Sequence, residues 1–145
     1  MIIVKAFEPG FICRGYQYKG IGEKNVTDEA NCVRNGFHGA ENPLDCAAHY
    51  RNVKNPVYCL CEAGGDMDED SVDSKITCTE LTILRVLTLE EFVVLSLCYI
   101  TENPNRPDSS ALCRESGEAH NGFCVVRGKD LRGDRIFTRD VTRNA

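Results

Sequence analysis

Val57-Tyr58-Cys59-Leu60-Cys61-Glu62-Ala63-Gly64-Gly65, then the acidic run Asp66 to Ser74, then Lys75-Ile76-Thr77-Cys78-Thr79-Glu80-Leu81-Thr82-Ile83-Leu84-Arg85-Val86-Leu87 is the stretch on which the fold turns. From Val57 to Ala63 every residue except Glu62 is apolar, so both alternating faces of a strand are suited to burial, as in an interior strand. Gly64-Gly65 reads as its end, and Asp66 to Ser74 as the loop that follows. In Lys75 to Leu87 the apolar positions change phase, from Ile76 and Cys78 to Leu81 and Ile83. A regular strand repeats every two residues, so this change predicts two strands or a bulge.

Outward from that stretch, Ile2 to Phe7 and Phe11 to Tyr18 read as strands separated by the turn signal Glu8-Pro9-Gly10. The period of two places Ile12, Arg14, Tyr16 and Tyr18 on one face of the second strand. Gly20 to Asn35 is polar and reads as a loop leading into a short strand at Gly36 to Ala40. Asn42 suits a helix N-cap, Pro43 the first helical position and Asp45 the positive helix end, predicting a short helix to about Tyr50 with Leu44, Ala47 and Ala48 buried. Thr88-Leu89-Glu90-Glu91 is a capping box opening a second helix to about Glu102. Its apolar residues, Phe92, Val93, Leu95, Leu97, Cys98, Tyr99 and Ile100, run nearly all round it and predict a core helix. A further strand is expected at Gly122 to Arg127. With no internal repeat or linker, these elements predict one α+β domain over residues 1–145: a mixed, largely antiparallel sheet with two main helices, its carboxyl end flexible from about 138.

At 145 residues the chain is long enough to bury a core of its own. A net charge of −5 argues against a general nucleic-acid-binding face, because neutralising phosphates needs a basic surface. Charges are unevenly spread, with six basic and three acidic residues between Arg127 and Arg143. Nine cysteines, without a secretory signal at the start, are expected to act as small core residues in a reducing cytoplasm. The apolar run from 89 to 100 is too short for a membrane span. No metal is expected. Cys59-x-Cys61 lacks the spacing and partner pair of a zinc site, and Asp66, Asp68 and Asp70 have the spacing of a calcium loop without its glycine or closing glutamate. Phosphate-loop, zinc-protease and nucleophile-elbow motifs are missing from the sequence.

The candidate site lies in two blocks, Cys13-Arg14-Gly15-Tyr16-Gln17-Tyr18 and Gly36-Phe37-His38-Gly39-Ala40-Glu41-Asn42-Pro43-Leu44-Asp45, which crowd polar and aromatic residues where a scaffold would alternate. Together with Asp73-Ser74-Lys75-Ile76 and Asn121-Gly122-Phe123, they resemble the signature of an uncharacterised domain family of bacterial, prophage and phage proteins. That resemblance covers most of the chain and implies a mobile element acting inside a bacterial cell. More distantly, the order Arg14-Gly15, Gly36-Phe37, Tyr50 and Val57 to Gly64 is similar to the ADP-ribosyltransferase fold. This second resemblance implies that Arg14 and Tyr50 hold NAD, with Tyr16 or Tyr50 stacking on nicotinamide, and that Asp73 or Glu80 supplies the catalytic carboxylate. At the expected glutamate position this chain has Asp73-Ser74-Lys75, a departure that touches catalysis more than fold.

The resulting ligand-binding set is Arg14, Gly15, Tyr16, Tyr18, Phe37, His38 and Tyr50. Each also has a plain structural role open to it: an ion pair for Arg14, tight backbone packing for Gly15 and core-edge packing for the tyrosines. Two functions from different classes follow. One is a non-catalytic phage or prophage accessory protein that needs no cofactor and binds a host protein or ribonucleoprotein, such as a CRISPR defence effector. The other is an ADP-ribosyltransferase that cleaves NAD and modifies a host target. Small size, acidic balance and the incomplete catalytic set favour the first.

Overall fold

The computed structural model describes residues 1–30, 35–49, 54–69, 74–103, 118–120, 123–130 and 133–139, with backbone alone for 47–49, 100, 101 and the last three segments. In chain order these form β1 (Ile2–Phe7), β2 (Ile12–Cys13), β3 (Tyr16–Gln17), β4 (Lys24–Val26), β5 (Phe37–Ala40), α1 (Pro43–His49), β6 (Val57–Glu69), β7 (Lys75–Val86), α2 (Leu89–Glu102), β8 (Glu118–His120), β9 (Phe123–Asp130) and β10 (Gly133–Arg139). The class is α+β, and every strand pairing described is antiparallel.

The main sheet closes on itself. β6 pairs with β1 on one edge, from Ile2 opposite Glu62 to Phe7 opposite Val57, and with β7 on the other. The far edge of β7 takes β5, with Phe37 opposite Cys78, and then β4, with Asn25 opposite Leu81. β5 returns to β1 where Val4 meets Ala40. Closure divides the apolar residues into two cores. Ile3, Phe7, Phe37, Cys59, Cys61, Ala63, Ile76, Cys78, Leu81 and Ile83 fill the inside. Val4, Ala40, Leu44, Cys46, Leu87 and Phe92 form the second core, where the helices cover the outside, with the Tyr58 ring 4.5 Å from that of Phe92. The apolar character of both faces of Val57 to Ala63 follows: Cys59, Cys61 and Ala63 point inward, Tyr58 and Leu60 outward.

Several expectations are corrected here. Gly64-Gly65 does not end a strand. β6 runs on to Glu69 through a bulge that places Gly64 opposite Glu80 but Met67 opposite Cys78. Gly65 has φ +69° and no room for a Cβ against Thr79, whose hydroxyl accepts from the Asp66 amide at 2.9 Å. The acidic residues beyond it tolerate a strand because their side chains are exposed. For Lys75 to Leu87, by contrast, the second of the two expected alternatives holds: β7 is one strand, and its pairing with β6 is bulged. The phase change between Cys78 and Leu81 lies opposite the Gly65 bulge, and a second register shift near Leu84 keeps β7 in step with β6.

Phe11 to Tyr18 is a hairpin and not a continuous strand. Arg14 (φ 50°) and Gly15 (φ 80°) both occupy the left-handed region, as the tight turn joining two twisted strands requires. Arg14 therefore sits at the tip and does not share a strand face with Tyr16. Within the expected loop from Gly20, β4 forms because Asn25 is fully buried, donating to the Leu81 carbonyl at 3.0 Å and accepting from the Lys19 amide at 2.9 Å. α2 is amphipathic instead of buried all round. It lies on the outside of the ring, so Phe92 and Ser96 are buried while Val94 and Leu97 are exposed.

The local signals held. Asn42 Oδ1 accepts from the Leu44 amide at 3.2 Å and caps α1, and the Thr88–Glu91 capping box opens α2. α1 extends to His49, and Tyr50 lies outside the described residues, as does Asp73. Among the described residues no helix is long and apolar enough to cross a membrane. Replacing Gly65 by alanine is expected to destabilise the protein by about 2 kcal/mol or more, through both φ strain and overlap with Thr79. A urea unfolding curve with an unchanged midpoint would show that the strand pairs without this bulge.

Candidate recognition site at the β2–β3 hairpin

The hairpin folds over one end of the ring and continues its core toward the surface as a stack of rings. Tyr18, buried, meets Phe7 at 4.9 Å and Phe37 at 5.3 Å between centroids. Tyr16 meets Tyr18 edge-on at 4.7 Å and Phe37 at 5.6 Å, yet stays 45% exposed. Edge-to-face contacts of this kind contribute about 0.5–1.5 kcal/mol each beyond area burial, so the exposed ring is held in place from below. Burial and the neighbouring Cys13 and Tyr16 push the Tyr18 phenol well above its ordinary range, keeping it neutral.

Beneath the rings lies a lysine. β1 alternates Ile3, Lys5 and Phe7 toward the inside of the ring, which leaves Lys5 only 2% exposed. Its Nζ donates to the His38 carbonyl at 2.6 Å and to Cys13 Sγ at 3.7 Å, and lies 5.4 Å from the Phe7 ring centroid and 5.3 Å from that of Tyr18. A buried ammonium is costly unless its donors are met, and here a carbonyl, a sulfur and two aromatic rings meet them.

His38 sits on β5 beside this cluster. Partial burial first, then the charges of Lys5, Lys75 and Arg14, lower its pKa from 6.5 to about 4, against the opposing effect of a hydrogen bond to the Gly36 backbone. The imidazole is neutral near pH 7, and its Nε2 is buried with no hydrogen-bond partner among the described residues. Arg14, exposed at the hairpin tip, likewise has no ion-pair or hydrogen-bond partner among them.

The rest of the second block has a mechanical role. Asp45 Oδ2 accepts from the Ser74 amide at 3.0 Å and its hydroxyl at 2.6 Å, and Ser74 Oγ in turn accepts from the Asn42 amide at 2.8 Å. All three residues are buried, and the network latches the start of β7 to the first turn of α1. That latch fixes the β5–α1 connection and with it the position of His38.

The structure thus brings together Arg14, Gly15, Tyr16, Tyr18, Phe37 and His38. Gly15 serves as a turn residue. Glu80 lies elsewhere on β7, half-exposed and paired with Lys24 at 3.1 Å. Sequence reasoning missed Lys5 and Lys75. The available signal for Lys5 was a charged residue in the middle of the apolar alternation Ile3, Lys5, Phe7. The cluster offers a fixed aromatic surface together with a guanidinium and an imidazole nitrogen that have no partners among the described residues, a set suited to holding an anionic or hydrogen-bonding group.

A His38 pKa near 4 in the native state and near 6.5 in the unfolded chain means the unfolded state binds the extra proton between these values. The His38 contribution should therefore make stability fall as pH drops from about 6.5 toward 4 and stay level above 6.5. Urea unfolding at pH 5 and pH 7.5 should show a smaller loss for His38→Gln than for the unmodified protein. Equal losses would place the native His38 pKa near its ordinary value.

A search of curated proteins found no match, and a search of solved structures found none either. A family model described as Domain of unknown function (DUF7666) matches residues 1–95, which include the whole closed sheet, the hairpin, the Asn42–Asp45–Ser74 latch and the first half of α2. The chain belongs to that family.

Proposed function

We propose that this domain is a non-catalytic recognition module that grips an acidic surface of a macromolecular partner through the tip of the β2–β3 hairpin. The observation that carries this reading is the exposed Tyr16 ring, braced by Tyr18 and Phe37 and two residues from the exposed Arg14, which has no ion-pair partner among the described residues. Tyrosine and arginine on a rigid base dominate protein–protein binding energy, because little entropy is lost when they are covered. The site is cationic although the chain as a whole carries −5, so it stands out against an acidic background. In the setting that the resemblance to phage and prophage proteins implies, the partner is a host protein or ribonucleoprotein in the bacterial cytoplasm. A defence effector of the CRISPR type suits that setting, and no cofactor is needed.

The test is capture from host lysate on the immobilised full-length protein, compared with Arg14→Ala, Tyr16→Ala and a control change on α2, Val94→Ser. A partner retained by the unmodified and Val94→Ser proteins should fall about tenfold or more with either hairpin variant, the loss expected for a binding hot spot. Equal retention by the hairpin variants would overturn the proposal. NAD binding by calorimetry, together with transfer of label from NAD to a host protein, would replace it with the transferase reading.

A further inference from the structure

We propose that Cys13 and Lys5 are an oxidative modification site, at which a peroxide joins Cys13 Sγ to Lys5 Nζ through a sulfenamide bond. Two features single out Cys13 among the described thiols. Cys46, Cys61 and Cys78 donate to backbone carbonyls, at 2.8 Å to Val4, 3.8 Å to Cys59 and 3.6 Å to Phe37, whereas Cys13 accepts from a lysine nitrogen at 3.7 Å. It is 9% exposed and one residue before the exposed Arg14, while Cys46, Cys59, Cys61 and Cys78 are enclosed more completely; Cys98 on α2 is more exposed still but has no lysine contact among the described residues, so accessibility and the lysine contact coincide at Cys13. A thiol that a small oxidant reaches forms a sulfenic acid, and a nitrogen already in contact with that sulfur can then condense with it. Burial disfavours ionisation of the inner thiols, pushing Cys46 and Cys59 up to about 12.

The chemistry has two steps. Cys13 sulfur attacks one peroxide oxygen, the O–O bond breaks, an S–O bond forms and water leaves, giving the sulfenic acid. Lys5 then gives up its ammonium proton to solvent, and its lone pair displaces the hydroxyl from sulfur. The S–N bond forms, the S–O bond breaks, and the hydroxyl departs as water with a second amine hydrogen. In sum, thiol, ammonium and hydrogen peroxide yield the sulfenamide, two waters and a proton; sulfur is oxidised by two electrons and the peroxide oxygens are reduced. Condensation of a sulfenic acid with a backbone nitrogen is established cysteine chemistry, and here a side-chain amine already in contact takes that place. The bond would tie β1 to the hairpin, and it would remove the Lys5 charge that acts on His38.

Peptide mapping of the full-length protein after brief hydrogen peroxide treatment tests this. Following a catalase quench, unfolding in iodoacetamide and non-reducing trypsin digestion, the reduced protein yields cleavage after Lys5 and after Arg14. The modified protein should lose cleavage after Lys5 and show residues 1–14 as one species, two hydrogens lighter than the uncut reduced peptide and with Cys13 unalkylated. Dithiothreitol should restore both fragments, and Cys13→Ser should abolish the species, as should Lys5→Arg, which keeps the charge. Cys13 recovered as a sulfinic acid or in a disulfide, with cleavage after Lys5 intact, would overturn the proposal, as would oxidation of other thiols while Cys13 stays alkylatable. The unmodified protein alone decides between these outcomes, so the result stands even if a variant fails to fold.

Discussion

Closure of the sheet through β7, which holds β6 along one edge and β5 then β4 along the other, is the constraint from which the remaining features follow. A small closed sheet has a narrow interior that side chains must fill at near-crystalline density. Phe7, Phe37 and Ile76 occupy it together with small residues, Ala63 and the thiols Cys59, Cys61 and Cys78. This accounts for much of the cysteine content. Here the thiols are compact apolar filling, and burial drives them away from ionisation. The Gly65 bulge of β6 faces Thr79, at the point where the inward positions of β7 change phase between Cys78 and Leu81.

The open end of the ring is where this packing gives way to chemistry. Lys5 projects inward in line with Ile3 and Phe7, and the hairpin covers it with Tyr18 and, above that, Tyr16. The same contacts that shield the ammonium therefore brace the exposed ring beside Arg14. Stability and recognition share a set of atoms here, and the Asn42–Asp45–Ser74 latch supports both by fixing where β5 passes into α1.

Legibility in the sequence tracked the range of the interactions. β1 was readable over its whole length, and both helix starts were readable because capping acts over a few neighbouring residues. The hairpin was not, because alternation from Phe11 to Tyr18 is equally compatible with an extended strand, and only the left-handed backbone at Arg14 and Gly15 breaks it. β4 was hidden because its stabilisation comes from Asn25 meeting Leu81, far along the chain. Of the site, the sequence pointed to the two aromatic and cationic blocks but not to Lys5, whose burial depends on the ring closing around it.

By itself, then, the sequence determined the α+β class, the helix caps and the segments that hold the site, since these rest on local geometry and on the period of apolar residues. Tertiary structure alone decided that the sheet closes, that β6 continues through Gly65, that α2 keeps an exposed side, and that Lys5 lies between Cys13 and the rings of Phe7 and Tyr18. Those outcomes depend on contacts between residues distant in the chain. Their free energies arise only once the strands are paired, so no local pattern records them.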